Sequence, residues 1–322
     1  MNDRKPDING IHHITAIARD PQKNVEFYAG ILGLRLVKKT VNFDDPHTYH
    51  LYYGDDEGRP GTLLTFFPWP KASHSGRRGS GQLTRFAFSV PAGSGDFWKR
   101  RLEEHGVPAA ISTNRWGEEI VSATDHDGFE FELVERSGED AMVRNGPVDA
   151  EFAITGLRGI ALAIAELEPS VRFLNGTLRF KNTGEQENIV RFSSGNSCID
   201  VVHDPKSGRG SIGAGIIHHV AWRTPDDASQ IAVREHLLKH NIEVTPVIDR
   251  NYFHSIYFND PGGAIFEVAT DPPGFLIDEL KAELGIKLQL PPQYEPYRED
   301  LEKDLPPVSA PAWVERQGET II

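Results

Sequence analysis

Apolar and polar residues alternate along most of residues 11–270, and the alternation recurs in four blocks. Each block opens on a period-two run, which places successive side chains on opposite faces of a strand. In the first block Ile11–Ala18 is such a run. Val25, Phe27, Tyr28, Ile31 and Leu32 then fall at helical spacing across Pro21–Leu32, with Gly33 as the stop. Strands are expected at Leu34–Thr40, His50–Tyr53 and Gly61–Phe67. The second block repeats the order: a strand at Thr84–Val90, a helix at Ser94–His105, then strands near Ala109–Ser112, Glu119–Thr124 and Phe129–Glu135. The third has Leu157–Ala163, a helix at Pro169–Asn175 and strands near Leu178–Lys181, Ile189–Ser193 and Cys198–His203. Its Val171, Phe173 and Gly176 match Val25, Phe27 and Gly30 of the first. The fourth has Ile216–Arg223, a helix at Asp226–His240 and strands at Val244–Asp249, Ser255–Phe258 and Ala264–Ala269. A fixed-order repeat defines the architecture. It is α+β: four βαβββ units, paired so that their sheets curl into two half-barrel cups.

Residues 8–142 and 150–275 are expected to form two domains of two units each, joined through the polar stretch Ser137–Ala150. Residues 276–322 break the pattern. Leu276–Leu284 has the length of a short helix, and Pro291, Pro292, Pro296, Pro306, Pro307 and Pro311 then preclude long regular structure. This reads as a tail packed on the core.

Composition narrows the function. A net charge of −13 disfavours nucleic acid and anionic membrane as partners. The single cysteine, Cys198, excludes an internal disulfide and is expected to be a buried small residue. No apolar run reaches spanning length, and the start MNDRKPDING is not a secretory signal, so a cytoplasmic protein is expected. The informative feature is a pair of histidine doublets. His12-His13 and His218-His219 stand in the same register of the first and fourth opening strands. Aligned across the units, the second-histidine column reads His13, Phe86, Gly159, His219. The matching column of the closing strands reads Thr65, Glu132, Asp200, Glu267. Alternation turns both columns toward a common cavity.

Two neutral imidazoles and one carboxylate with open positions are the ligand set of a non-haem Fe(II) site that activates dioxygen. His13, His219 and Glu267 supply it. Glu132 and Asp200 are rival carboxylates, in units that lack the histidines. Arg250 and Tyr257, just upstream of Glu267, have the chemistry to hold an anionic oxygen or meet a ring, against core and solvent-facing roles for the same residues. His47 and His50 read as surface or pocket-lining residues.

Several stretches carry a resemblance: Ile11–Thr15, Gly33–Asp44, Tyr49–Gly54, Pro60–Thr62, Ile217–Val220, Asp249–Phe258, Pro261–Asp271 and Leu290–Pro296. Together they resemble the hydroquinone-type, extradiol ring-cleaving dioxygenases of the vicinal-oxygen-chelate (glyoxalase/bleomycin resistance/dioxygenase) superfamily, the group of 2,6-dichlorohydroquinone 1,2-dioxygenase. The resemblance implies metal ligation by His13, His219 and Glu267, and supporting roles for His12, Thr15, His218, Arg250 and Tyr257. It implies Fe(II), with manganese or another divalent ion as the alternative occupant in purified protein. It implies a small aromatic diol and dioxygen as partners, and units one and four joined around the metal; the sequence leaves the oligomeric state open, a homo-oligomer being one arrangement. A glyoxalase-like lyase or isomerase and a metal-free sequestering protein are the alternatives. The first wants a second carboxylate where Thr65 stands, and the second leaves the histidine doublets unexplained.

Overall fold

The computed structural model describes residues 6–69, 75–138, 141–143, 146–311 and 313. Its strands form one 16-stranded sheet. The four opening strands lie side by side at the centre, in the order β9 (Gly156–Ile164), β5 (Gln82–Pro91), β13 (Ile216–Thr224) and β1 (Ile11–Ala18). From the antiparallel β1·β13 pair, unit one extends outward through β4 (Leu63–Pro68), β3 (Asp45–Gly54) and β2 (Arg35–Asn42). Unit four extends the other way through β16 (Ile265–Pro273), β15 (Phe253–Asn259) and β14 (Ile248–Asp249). The β5·β9 pair carries the second cup. Unit two supplies β6 (Ala109–Thr113), β7 (Glu119–Thr124) and β8 (Glu130–Arg136), and unit three supplies β10 (Lys181–Gln186), β11 (Ile189–Ser194) and β12 (Ser197–His203). Each half of the chain therefore gives one unit to each cup. The cups join where Ile217 pairs with Leu83.

Alternation explains why β1 is buried along its whole length. Ile14, Ala16 and Ala18 belong to the main core, while His13 and Thr15 face the cup. Helix α1 (Pro21–Val25) starts on Asp20, whose carboxylate accepts from the N–H groups of Gln22 and Lys23. It then widens into a π-helical turn, Glu26–Ile31. Helix α3 (Leu167–Arg172) does the same across Phe173–Thr177. The exit bonds match too: Leu32 N–H to Phe27 C=O in one and Leu178 N–H to Phe173 C=O in the other, both 2.9 Å. The kinship of units one and three thus extends to the backbone. Helices α2 (Gly95–Glu104) and α4 (Asp227–Lys239) serve units two and four.

Three expectations are corrected. The strand expected at Val244–Asp249 shrinks to Ile248–Asp249, because Pro246 has no N–H to give a ladder. The strand expected at Leu178–Lys181 starts only at Lys181, since the π turn carries the helical path to Leu178. Leu276–Leu284 is not one helix but two single 3-10 turns, Phe275–Ile277 and Lys281–Glu283, separated by extended Leu280.

The tail runs along the outer edge strand β2. Gln289 N–H donates to Lys39 C=O at 2.9 Å, and Tyr294 Oη donates to Phe43 C=O at 2.8 Å. Leu284, Leu290, Leu301 and Leu305 are buried, the last two at helix α5 (Arg298–Asp304). Residue 312 and residues 314–322 of the expected tail lie outside the described residues. No helix among the described residues is long and apolar enough to cross a membrane.

Candidate metal centre

Pairing register brings the doublets together. Thr15 lies opposite His219 across β1·β13, His13 opposite Ala221, and Ala221 opposite Glu267 across β13·β16. His13, His219 and Glu267, two hundred and more positions apart in part, thus share one inward face. His13 Nε2 lies 3.3 Å from His219 Nε2 and 3.4 Å from Glu267 Oε2, and His219 Nε2 lies 3.0 Å from the same oxygen. A first-row divalent ion with bonds of about 2.0–2.2 Å holds neighbouring ligand atoms roughly 2.8–3.6 Å apart. All three edges of the triangle fall in that range.

The hydrogen bonds leave this triangle unsatisfied from within the protein. Glu267 Oε1 accepts from Ser255 Oγ, while the buried Oε2 has no hydrogen-bond partner of adequate geometry. Burial pushes the Glu267 carboxyl up, but charge on His13 and His219, when these are protonated, outweighs it and holds it well below the usual carboxylate range; with both imidazoles neutral that positive charge is missing from the centre. Burial pushes His219 down, with Glu267 opposing. The centre is an anionic oxygen beside imidazole lone pairs, with Oε2 left unpaired, which fits a cation.

Each histidine of the triangle is oriented by the histidine before it. His12 Nε2 lies 3.1 Å from Thr270 C=O, an acceptor only, so that nitrogen carries the proton. Neutral His12 then offers a lone pair at Nδ1, and His13 Nδ1–H, 2.9 Å away, donates to it. Burial holds His12 neutral, far below its ordinary range. The consequence is a bare Nε2 on His13, aimed at the triangle. His218 Nδ1 stands 2.7 Å from His219 Nδ1 in the same relation. With Nε2 of His219 bare, as metal binding would require, Nδ1 of that ring carries the proton, and His218 then accepts from it and keeps its own proton at Nε2. Burial, with His219 beside it, pushes His218 down to about 3.

Two corners of the triangle, His13 and His219, line a cavity of about 230 Å³ together with Phe43, Phe67, Trp69 and Phe253 among others. An apolar cavity of ~150 Å³ takes up benzene, so a single substituted ring fits. His218, Arg250 and Tyr257 line it. Arg250 Nε donates to Tyr257 Oη at 3.2 Å, and its guanidinium reaches Asp44 at 3.1 Å. Burial raises the Tyr257 phenol, with Glu267 adding to it, so it stays protonated. His12 and Thr15 do not line the cavity: they sit behind it, His12 against Thr270 and Thr15 Oγ1 at 2.8 Å from Thr65 Oγ1. The rival carboxylates are in the other cup, where Glu132 pairs with Arg85 at 3.1 Å and Asp200 with Arg191 at 2.6 Å. His47 is exposed beside Asp304, whereas His50 lines the cavity. Tyr52 also lines it, and sequence reasoning missed it. Its signal was its place two residues after His50 on an alternating strand.

The model of the glyoxalase/bleomycin resistance protein/dioxygenase superfamily matches residues 10–133 and 156–268. The chain belongs to this superfamily. Its matched segments contain all three corners of the triangle. Within the superfamily the chain is 46% identical over 302 residues to "Putative ring-cleaving dioxygenase MhqO" of Bacillus subtilis, covering 92% of this chain and 96% of the relative. It is 32% identical to the chlorohydroquinone/hydroquinone 1,2-dioxygenase of Sphingobium indicum, over 91% of this chain and 95% of that one. The crystal structure of a putative dioxygenase from Bacillus subtilis superposes with a TM-score of 0.91 at 44% identity, covering 96% of this chain and 99% of that one. Maize glyoxalase I shares the superfamily fold alone, with a TM-score of 0.60 at 15% identity over 82% of this chain and 92% of the other.

Proposed function

We propose that the protein is a metal-dependent dioxygenase that opens the ring of a hydroquinone or related aromatic diol. The observation that carries this reading is the His13–His219–Glu267 triangle, with its unpaired carboxylate oxygen, bordering through its histidines an aromatic-lined cavity of ring size. The two relatives named as ring-cleaving and hydroquinone dioxygenases match over nearly their whole length and support the same reaction class.

His13, His219 and Glu267 would hold the metal, and Fe(II) is the ion this donor set favours for dioxygen chemistry. When bound there, Fe(II) supplies one-electron exchange between an electron-rich ring and dioxygen. The rest is done by the chain. Phe67, Phe253 and Trp69 exclude water and hold the ring. Arg250, fixed by Tyr257 and Asp44, places a positive charge where a deprotonated substrate oxygen needs it. Protonated Tyr257 donates to the same oxygen. His218, a cavity-lining residue, is neutral with Nδ1 engaged by His219, so its Nε2–H would serve as a hydrogen-bond donor to an oxygen on which charge develops, keeping its proton. His12 orients His13 and moves no proton of the substrate, because both its ring nitrogens are engaged. Thr65 occupies the position where a glyoxalase-like site would place a second carboxylate, which favours the dioxygenase over the lyase or isomerase. The test is dioxygen uptake by anaerobically reconstituted protein against hydroquinones and catechols, compared for Fe(II), Mn(II) and Zn(II). Uptake with Fe(II) and an aromatic diol is expected; turnover equal with Zn(II) would refute the reading.

A further inference from the structure

Cavity-lining polar groups on the unit-four wall are engaged with one another or with the metal-site histidines: Arg250 with Tyr257 and Asp44, and His218 with His219. The opposite wall, from unit one, is built differently. A row of directly paired residues crosses the sheet from His219 through Thr15 and Thr65 to Tyr52. Hydrogen bonds extend along that wall: Thr15 Oγ1 to Thr65 Oγ1 at 2.8 Å, Thr65 Oγ1 to His50 Nε2 at 2.9 Å, and His50 Nδ1 to Tyr52 Oη at 2.8 Å. Tyr52 Oη therefore has His50 as its partner and retains capacity for another, since a phenol both donates and accepts. Tyr52 is held rigid, with its ring 3.9 Å from the His50 ring and 5.0 Å from the Phe275 ring.

The polarity of this chain of groups is reversible. If Tyr52 donates to His50 Nδ1, His50 Nε2–H donates to Thr65 and the phenol oxygen can accept from a ligand. If Thr65 donates to His50 Nε2, His50 Nδ1–H donates to Tyr52 and the phenol proton is free for a ligand. Such an arm suits a hydroxyl, which is itself donor and acceptor. Burial keeps the Tyr52 phenol protonated and His50 neutral, as both polarities require.

Resting on the diol reading above, we propose that Tyr52, oriented by the His50–Thr65–Thr15 chain, binds the ring hydroxyl most distant from the metal centre and thereby selects para-diols. A para-diol with one oxygen at the triangle carries its second at the far end of the ring. A catechol turns both oxygens to the metal and leaves Tyr52 without a ligand hydroxyl. A monophenol has none to offer.

The experiment is equilibrium titration by calorimetry of the full-length, Fe(II)-loaded protein under argon with hydroquinone, 4-methylphenol and catechol. 4-Methylphenol replaces the far hydroxyl by a methyl group of similar size. Wild type is expected to bind hydroquinone about tenfold more tightly than 4-methylphenol, the weight of one hydrogen bond. Tyr52→Phe keeps the ring packing and is expected to bring that ratio to within about twofold, with 4-methylphenol and catechol affinities unchanged. Thr65→Val, which does not line the cavity, should bring the ratio to about threefold by loosening His50. The proposal is overturned if Tyr52→Phe keeps the tenfold ratio, if it weakens all three ligands alike, or if wild type shows no preference. Dioxygen uptake separates the two claims: catechol turnover without a hydroquinone preference removes the role of Tyr52 and leaves ring cleavage standing.

Discussion

Replacing His12 by Phe tests the idea that each ligand histidine is set by its neighbour. His12 is 1% exposed, and its ring packs on Phe253 with centroids 5.0 Å apart, so Phe preserves shape and contact. What disappears is the acceptor 2.9 Å from His13 Nδ1 and, on the far side of the ring, the donor to Thr270 C=O, whose loss lowers stability without reaching the triangle. His13 then has two states. It keeps the proton at Nδ1 with no partner, a buried unsatisfied donor costing about 1–3 kcal/mol. Or it moves the proton to Nε2, where it removes the lone pair a metal needs. Either path lowers metal affinity, and partners behind ligating histidines typically contribute 10–100-fold, or about 1.4–2.8 kcal/mol, which agrees with the donor cost. The expected result is a 10–100-fold weaker Fe(II) or Zn(II) complex for His12→Phe in anaerobic competition with a chromophoric chelator. His12→Asn returns an amide acceptor near the lost nitrogen and should recover part of the loss. Nitrogen NMR of the metal-free protein gives a second readout: His13 protonated at Nδ1 in wild type and mixed in His12→Phe. Metal affinity within twofold of wild type in a folded His12→Phe protein would refute the tautomer argument.

Other expectations follow from the same geometry. His218→Ala should retain metal while turnover falls by about 10²–10³, the usual weight of one hydrogen-bond donor to a developing charge; the pair of measurements is metal content and dioxygen uptake, and unchanged turnover removes His218 from the reaction. Lys38 is fully buried between Asp278 and Glu279 of the tail, so Lys38→Met leaves Glu279 buried without its counter-charge and should cost about 3 kcal/mol in urea unfolding. Burial depresses His12, His50, His218 and His219, so below about pH 6.5 the unfolded chain binds protons that the folded chain refuses. Metal-free protein should therefore be stable above about pH 6.5 and lose stability steadily as pH falls toward 3, with Glu267 adding below about 4.3. Urea midpoints that stay flat between about pH 6.5 and 5 would contradict this.

The convergence of His13, His219 and Glu267 was legible because it rests on properties that sequence carries directly. A period of two fixes which face a strand residue takes, and the repeat sets a register in which His13 and His219 correspond. The resemblance supplied the pairing of unit one with unit four, and the β1·β13 ladder bears it out. What alternation does not carry is anything decided by a second chain segment. Whether His12 faces the cavity or lies behind it depends on Thr270, 258 positions away. Tyr52 looked like ordinary core because its partners, His50 and Thr65, gain meaning only once a cavity is present. The π turns after α1 and α3 and the breaking of Leu276–Leu284 into single turns also escaped, since apolar spacing alone does not distinguish a widened or interrupted helix from a regular one.

The second cup explains why the carboxylate column said less than the histidine column. Both cups bury acids at corresponding positions, and a buried carboxylate requires a positive partner. In the second cup the chain provides it. Arg191 holds Asp200 through two contacts, at 2.6 and 2.8 Å, and also reaches Glu118 at 2.7 Å, while Arg158 reaches Glu118 at 2.7 Å and Arg85 reaches Glu132. Burial would raise Glu118, yet Arg191, Asn114 and Arg158 hold it down to about 2. In the first cup Arg250 spends its hydrogen bonds on Asp44 and Tyr257; Glu267 Oε1 accepts from Ser255, and Oε2 meets only imidazoles whose other nitrogens are already committed. The same scaffold thus balances its buried acids with guanidinium in one cup and with none in the other, where the proposed metal would supply the balance. An acid in the right column marks an inward position; the histidines beside it determine whether the missing positive charge is a metal.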